Sequence, residues 1–156
     1  MSARFACETF LPAAPAAVFP LALNVDLHVG SMAASGESAL GGKTTGVLGP
    51  GEDVTWRGRH FGLTWTMTAR ITDYEPPHRF VDQQVRGPFR SFRHEHLFEA
   101  VPGGTRMTDR IEFEAPFGPA GLAAERLGLT RHLRRLIETR GAYLAAQAAS
   151  AERAGS

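Results

Sequence analysis

The sequence is poor in cysteine, in net charge and in long apolar runs, and each scarcity excludes a class of protein. Its single cysteine, Cys7, cannot form an internal disulfide, which is typical of a reducing compartment. Seventeen basic residues against 16 acidic ones leave a formal charge of +1, which argues against a dedicated nucleic-acid binder. No run approaches the roughly 20 apolar residues of a membrane span, and the first residues lack the apolar core of a signal peptide. We therefore expect a soluble cytoplasmic protein that neither binds nucleic acid nor inserts into a membrane.

The composition is that of an ordinary globular protein. The 156 residues are 43% hydrophobic and 21% charged, which suits one domain with a substantial core. No linker, repeat or low-complexity block divides the chain. The sequence therefore predicts a single domain over residues 1–149, followed by a disordered tail at 150–156. A homodimer is the default expectation for a small soluble domain.

Apolar periodicity and turn residues divide the chain into strands with helices near either end. An alternating run at 5–11 predicts the first strand, and two short helices are expected at about 15–23 and 24–31. Pro20 should break or kink the first of these helices. After residue 119, leucines at helical spacing predict a helix of about 30 residues. Its other side is interpreted as a solvated face and carries Arg126, Arg131, Arg134, Arg135 and Arg140. Six further strands are expected in between, at 37–47, 53–60, 63–74, 78–86, 87–99 and 105–114.

Two histidines, His94 and His96, alternate along the strand predicted at 87–99. Alternate residues of a strand point to one face, so both imidazoles share a face and the phenyl rings of Phe92 and Phe98 flank them. Such a face suits a partly apolar pocket that contains polar groups.

A carboxylate is expected to face the same side of the sheet. In the strand predicted at 105–114, alternation places Asp109 among apolar neighbours and opposite a charged, solvent-facing side. Burying unpaired ionisable groups costs several kcal/mol, so such side chains must pair, hydrate or contact a ligand.

The order of elements implies an α+β architecture. One strand, two short helices, six strands and a long helix favour a curved seven-stranded antiparallel sheet wrapped around the C-terminal helix. A single helix cannot fill the hollow of a long, strongly curved sheet, so a cavity between them is expected. Ligand sites prefer such places.

Several segments also resemble a known family. The sequence is similar to the START-like, or SRPBCC, superfamily, and within it to small bacterial proteins labelled polyketide cyclase/dehydrase-like. The resemblance covers nearly the whole chain and implies the helix-grip (START/Bet v 1-like) fold, a hydrophobic, lipid-like or aromatic small-molecule ligand, and no metal. We expect no cofactor, and the superfamily has no universal catalytic motif to transfer. The segments are VTWRGRHFG at 54–62, EPPHRFVDQQVRGPFRSFRHEHLFE at 75–99, GGTRMTDRIEFEAPFGPAG at 103–121 and the closing LTRHLRRLIETR.

If alternation holds along every strand, a defined set of side chains faces the cavity. A single β-bulge would flip part of this set to the other face. Residues with candidate catalytic chemistry are Asp82, Arg86, His94, His96 and Asp109, and candidate ligand-binding residues are Trp56, His60, Trp65, Met67, Phe80, Gln84, Phe92, Phe98, Met107 and Ile111.

Three roles stay open for the ionisable residues. In an enzyme, His94 or His96 would be the general acid or base of an aldol-type cyclisation or a dehydration. Asp82 or Asp109 would orient the imidazole, and Arg86 would polarise a carbonyl. In a binding protein the same groups would be polar anchors for a ligand. In a structural network they would only satisfy one another.

Two other arrangements are open as well. Two histidines with a carboxylate could form a metal site, although the resemblance implies none. The domain could instead be a protein-protein interaction or regulatory module, with a cavity filled by its own side chains and a partner on the basic helix face of Arg131, Arg134 and Arg135. His28 and Glu37 follow the short helices, where a loop could cap the mouth of a cavity.

Overall fold

The computed structural model describes residues 2–116 and 122–155, which form a seven-stranded antiparallel sheet and three helices. A short 3₁₀ turn, Ala33–Ser35, follows the second helix. The strands are β1 (Ala3–Leu11), β2 (Ser38–Gly42), β3 (Asp53–His60), β4 (Leu63–Glu75), β5 (Arg79–Arg86), β6 (Ser91–Val101) and β7 (Gly104–Glu114), and the helices are α1 (Pro15–Ala22), α2 (Val25–Ser31) and α3 (Leu122–Ala154).

The topology is a meander closed by the first strand. The strand order is β1-β7-β6-β5-β4-β3-β2, so each strand from β2 to β7 pairs with its neighbour in sequence, and β1 pairs with β7. The short helices α1 and α2 connect the two edges of the sheet, and α3 packs along it in contact with β1. This is the helix-grip fold that the sequence predicted.

Local signals set several element boundaries. Asn24 caps α2, because its side-chain oxygen accepts a hydrogen bond from the Leu27 amide at 3.0 Å. Phe61 and Gly62 have φ values of 54° and 72°, and two consecutive positive values let β3 reverse directly into β4. The predicted break at Pro20 is wrong: α1 continues through it to Ala22. Packing of the buried apolar side of this short helix outweighs one lost hydrogen bond near its end.

Two other predicted boundaries differ from the structure. The strand predicted at 37–47 stops at Gly42, whose φ of 66° ends the regular ladder, and its pairing with β3 already shifts between Ala39 and Gly41. At the C-terminus, α3 runs to Ala154, so residues 150–154 of the predicted tail are helical. The segment at 142–151 is rich in alanine, which has the highest helix propensity of any residue, and this favours continuation of the helix into the predicted tail.

A β-bulge in β5 moves Arg86 off its predicted face. Ala69 of β4 pairs with Gln84, but Thr68 pairs with Arg86, so Val85 is an extra residue on β5. Thr68 lies on the outer face of the sheet, because its two neighbours along β4 face inward. Arg86 therefore lies outside and exposed, and the prediction that it faces the cavity is wrong.

Two clusters of buried apolar side chains form the core. The first joins α1 and the C-terminal half of α3 to the sheet, with Phe19 and Leu144 among its members. The second lies under the N-terminal half of α3 and includes Phe92, Ile111 and Leu129. Side chains from both clusters line one cavity between the sheet and α3. The fold thus divides its core and leaves space where the two parts meet.

Gly141 sets how closely α3 approaches β1, and Gly128 of the same helix offers a matched control. A Cβ at position 141 would overlap Thr9 Oγ1 and lie 3.3 Å from Thr9 Cβ, whereas a Cβ at position 128 would meet nothing within 4 Å in the part of the chain that the structure describes. Overpacking costs about 1–3 kcal/mol, but alanine is favoured over glycine in an open helix by about 1 kcal/mol.

We therefore expect Gly141→Ala to lower the free energy of unfolding by about 1–2 kcal/mol, and Gly128→Ala to raise it by up to about 1 kcal/mol. Urea unfolding followed by circular dichroism measures both changes. Equal effects of the two substitutions would contradict close packing of α3 on β1.

Candidate functional site

The cavity between the sheet and α3 is mainly apolar and has a volume of about 160 Å³. The sequence contains two tryptophans, Trp56 and Trp65, and both line it. The cavity also contains two groups of ionisable side chains, one deeply buried and one nearer the surface. Other apolar residues in its wall include Met67, Ala69, Ile71, Phe80, Phe89, Phe92, Ile111, Leu129, Leu133, Leu136 and Ile137.

The buried group, the inner cluster, consists of Asp82, His94, His96 and Asp109. His94 Nε2 lies 2.7 Å from Asp109 Oδ1, and His96 Nε2 lies 2.7 Å from Asp82 Oδ2. The two imidazole rings stack with their centroids 3.7 Å apart. Asp82 is the most accessible member, with a side chain 21% exposed, whereas Asp109 is fully buried. The inner cluster thus extends from the core to the cavity wall.

Strand register assembles this cluster. The two histidines are two residues apart on β6, so both side chains point inward. His94 pairs with Asp82 of β5, and His96 pairs with Asp109 of β7. Each short hydrogen bond runs to the carboxylate diagonal to the histidine, so every imidazole contacts both acids. The four side chains therefore join the adjacent strands β5, β6 and β7.

Arg140 of α3 completes the site, and sequence analysis assigned it to the solvated face of the helix. That assignment is wrong, because Arg140 is only 5% exposed and lines the cavity. Its Nη2 donates to the Ala22 carbonyl at 2.6 Å, and its Nη1 lies 3.7 Å from Asp109 Oδ1. Its spacing of three residues from Ile137 and four from Leu144 was the available signal, since this spacing belongs to the core-facing stripe.

Three buried polar atoms around Asp109 lack a hydrogen-bond partner in the described part of the chain: Asp109 Oδ2, His96 Nδ1 and Arg140 Nη1. Buried polar atoms are normally satisfied, and each exception calls for an explanation. The inner cluster therefore has more hydrogen-bonding capacity than its own members use.

Burial and pairing fix the charges of the inner cluster. Burial alone would raise the pKa values of Asp82 and Asp109, but hydrogen bonds from the imidazoles and nearby positive charge hold both pKa values below their usual range. Burial, followed by the neighbouring His96, holds the pKa of His94 below its usual value. At neutral pH the carboxylates are ionised and His94 is neutral.

Ligand atoms of Asp82, His94 and His96 lie within 4.8 Å of one another, which is close enough to consider a metal ion. The two imidazole planes are stacked and only 25° from parallel. Their in-plane lone pairs therefore do not converge on one point at metal-ligand distance. Hydrogen bonding suits this geometry better than chelation does.

The second group, the outer cluster, consists of His28, Glu37, His60 and His132. His28 Nε2 lies 2.6 Å from Glu37 Oε1, and His60 Nδ1 lies 2.8 Å from His132 Nε2. Burial lowers the pKa of His60, opposed in part by the Glu37 charge, and burial with the charges of His60 and Arg135 lowers the pKa of His132. The outer cluster joins α2, β3, α3 and the loop before β2 around one end of the cavity.

The structure places the sequence-predicted residues in three groups. Trp56, His60, Trp65, Met67, Phe80, Asp82, Phe92, His94, His96 and Ile111 line the cavity. Phe98 and Met107 lie in the core beside α1, Asp109 lies behind the cavity wall, and Gln84 binds the Phe89 backbone through two hydrogen bonds of 2.8 and 3.2 Å. Sequence analysis missed Arg140, Phe89 and His132.

With this geometry, the comparison with known proteins is informative. The chain belongs to the family described as polyketide cyclase / dehydrase and lipid transport, which residues 2–148 match. No curated protein sequence matches it significantly.

Solved structures share the fold at low identity. The aromatase/cyclase ZhuI from a Streptomyces species has a TM-score of 0.76 and 14% identity, over 95% of this chain and 94% of that one. A protein from Thermus thermophilus, TTHA0849, has a TM-score of 0.75 and 17% identity, over 96% of this chain and 99% of that one. Major latex-like protein 151 from Panax ginseng has a TM-score of 0.66 and 14% identity, over 94% and 97%. Within the described residues, no helix is long and apolar enough to cross a membrane.

Asp109 should contribute far more to stability than a surface carboxylate does. The Asp109 carboxylate is hydrogen-bonded to neutral His94 and lies beside the Arg140 cation. Removing one member of such a buried, charged network costs about 3–5 kcal/mol, whereas an exposed ion pair contributes at most about 1 kcal/mol. We expect Asp109→Asn to lower the free energy of unfolding by about 3 kcal/mol. Asp53→Asn, which affects the surface pair with Arg70 at 2.7 Å, is the control and should cost less than about 1 kcal/mol. Chemical denaturation measures both, and similar losses would show that the inner cluster is solvated.

The depressed pKa values of His60, His94 and His132 predict how stability depends on pH. In the unfolded chain, histidines bind protons near pH 6.5, whereas the folded protein keeps these three neutral at lower pH. The unfolded state then binds more protons than the folded state at low pH. The contribution of these histidines to the free energy of unfolding is therefore complete above about pH 7.5 and decreases as the pH is lowered through about 6.5. Each histidine should contribute at most about 1.4 kcal/mol of loss per pH unit, and only between its unfolded and its folded pKa.

Urea unfolding at several pH values tests this slope. The double variant His60→Gln/His132→Gln should show a shallower decline, since it removes two of the titrating groups. A stability that stays constant from pH 7.5 to about 5.5 in the native sequence would refute the neutral assignment.

Proposed function

We propose that the protein binds a small hydrophobic or aromatic molecule in the cavity, with the inner cluster as its polar anchor. One observation carries this proposal: the wall of an apolar cavity lined by aromatic side chains also contains the ionisable side chains of Asp82, His94 and His96, and the side chain of Asp82 is 21% exposed. Ligand sites typically combine apolar walls with a few convergent polar groups. A cavity of purely structural origin has no need of such groups, because they are costly to bury.

Family membership supports the same class of ligand. The family description names cyclisation, dehydration and lipid transport, all of which act on largely apolar molecules. One protein of the same fold is named as an aromatase/cyclase.

The volume of the cavity limits the size of the ligand. About 160 Å³ is close to the roughly 150 Å³ of a protein cavity known to hold benzene. About one aromatic ring therefore fits inside, and a larger molecule has to extend beyond this volume.

Acid-base catalysis is the second candidate function, and the pairing of each histidine with its own carboxylate favours it. One imidazole would remove a proton from the carbon next to a carbonyl, and the other would return a proton to the leaving hydroxyl group, which departs as water. The carboxylates would fix the tautomers and stabilise the protonated ring. Arg140, rather than Arg86, is the cation in the cavity wall that would interact with a carbonyl oxygen.

Filling the cavity should abolish binding. Leu133 of α3 lines the cavity, whereas Leu40 of β2 is exposed and distant from it, so the two leucines form a matched pair. We expect naphthalene to bind the native protein and Leu133→Trp to weaken that binding at least about tenfold, while Leu40→Trp leaves it unchanged. Isothermal titration calorimetry measures the affinities.

Native mass spectrometry of freshly purified protein, followed by extraction, identifies any ligand that copurifies.

Loss of one water from an added β-hydroxy ketone would support the catalytic candidate. A bare protein that binds neither naphthalene nor a panel of fatty acids and aromatics would contradict the binding proposal. It would favour an interaction module, tested by changing Arg131, Arg134 and Arg135 to Glu.

A further inference from the structure

The outer cluster contains a gap between a hydrogen-bond donor and an acceptor. Glu37 Oε2 and His60 Nε2 lie 3.9 Å apart, too far for a direct hydrogen bond. Neither atom has a closer hydrogen-bond partner within residues 2–116 and 122–155. Both side chains are well buried, Glu37 at 10% and His60 at 13% exposure. The gap is therefore a feature of the cavity wall.

Each side chain is held in place through its other polar atom. Glu37 Oε1 lies 2.6 Å from His28 Nε2, and His60 Nδ1 lies 2.8 Å from His132 Nε2. His28 in turn stacks on Trp56, with ring centroids 4.0 Å apart. The positions of Glu37 Oε2 and His60 Nε2 are thus fixed, because a hydrogen bond at the other polar atom of each side chain holds that side chain in place.

Gly58 keeps the gap open. A Cβ at this position would lie 3.3 Å from His60 Nε2 and 3.4 Å from Glu37 Oε2. The glycine therefore leaves space for about one atom within reach of both polar groups. Its φ is not in the left-handed region, so backbone conformation does not require glycine here.

The positions of the protons on the histidines of the outer cluster determine which chemical group can bind in the gap. Burial keeps His60 and His132 neutral at pH 7 by lowering their pKa values. His132 Nε2–H can then donate to His60 Nδ1, which places the His60 proton on Nε2, facing the gap. Glu37 accepts from His28 and faces the gap with a second acceptor oxygen. A group that accepts from His60 and donates to Glu37 satisfies both, and a hydroxyl does so whereas a carbonyl or an ether does not.

We propose that Glu37, His60 and Gly58 form a subsite for a hydroxyl group carried on an aromatic ring. A hydroxyl oxygen about 2.8 Å from both polar atoms completes the hydrogen-bond chain from His28 to His132. Trp65, at 6.2 Å from the His60 ring, and Trp56 form the aromatic walls that select a flat ring. This inference rests on the proposed function, because the subsite opens into the same cavity.

Three matched probes test the subsite by calorimetry: naphthalene, 2-naphthol and 2-methoxynaphthalene. The methoxy compound keeps the ring and the oxygen but cannot donate a proton. We expect the native protein to bind 2-naphthol about five- to tenfold more tightly than 2-methoxynaphthalene, the gain typical of a buried hydrogen bond. Equal affinities for these two probes would overturn the subsite without any need for a variant.

Two substitutions then assign the effect to the gap. Gly58→Ala places a methyl group in the gap without changing charge, and His60→Phe removes the donor. Both should abolish the preference for 2-naphthol over 2-methoxynaphthalene, measured as the ratio of the two affinities within the same variant. Gly128→Ala, on the open face of α3, is the control and should keep the preference. Retention of the preference in Gly58→Ala would overturn the proposal.

Failure of the subsite differs from failure of the cavity. If naphthalene binds but 2-naphthol has no advantage, the cavity binds ligands and the subsite is refuted. If no probe binds, the proposed function fails and the subsite fails with it.

Discussion

The interior of this protein depends on the rule that buried charge must be paired. Two carboxylates and two imidazoles lie on the inner face of β5, β6 and β7, and each short contact of 2.7 Å joins neighbouring strands. Only one register of β5, β6 and β7 brings these groups together, because a shift by one residue would turn the histidines outward. The pairing therefore specifies strand alignment at the same place where it presents polar groups to the cavity.

The cavity itself is a consequence of curvature. A long helix can cover only part of a curved seven-stranded sheet, and here the core divides into two apolar clusters with space between them. Arg140 enters that space from the helix side and Asp82 from the sheet side. An apolar wall with polar groups at a few points is the composition typical of small-molecule sites, in which the wall supplies affinity and the polar groups orient the ligand.

The sequence identified much of this site from alternation alone. The inward positions of His94, His96 and Asp109 follow from the period of two along a strand, and all three are buried as expected. Arg86 was placed wrongly because a bulge at Val85 interrupts that period, and no residue pattern there marks the extra position. Arg140 was missed because a helix rich in arginine suggests a solvated face, although its spacing from neighbouring core residues was informative.

By itself, the sequence determined the order of elements, the helix-grip fold and the faces of the regular strands, because periodicity and turn residues are local properties of the chain. Only the tertiary structure decided which side chains meet. The diagonal pairing of each histidine with the opposite carboxylate, the entry of Arg140 and the gap beside Gly58 all depend on contacts between residues far apart in sequence. Their distances are set by packing between strands and helices, which no local pattern encodes.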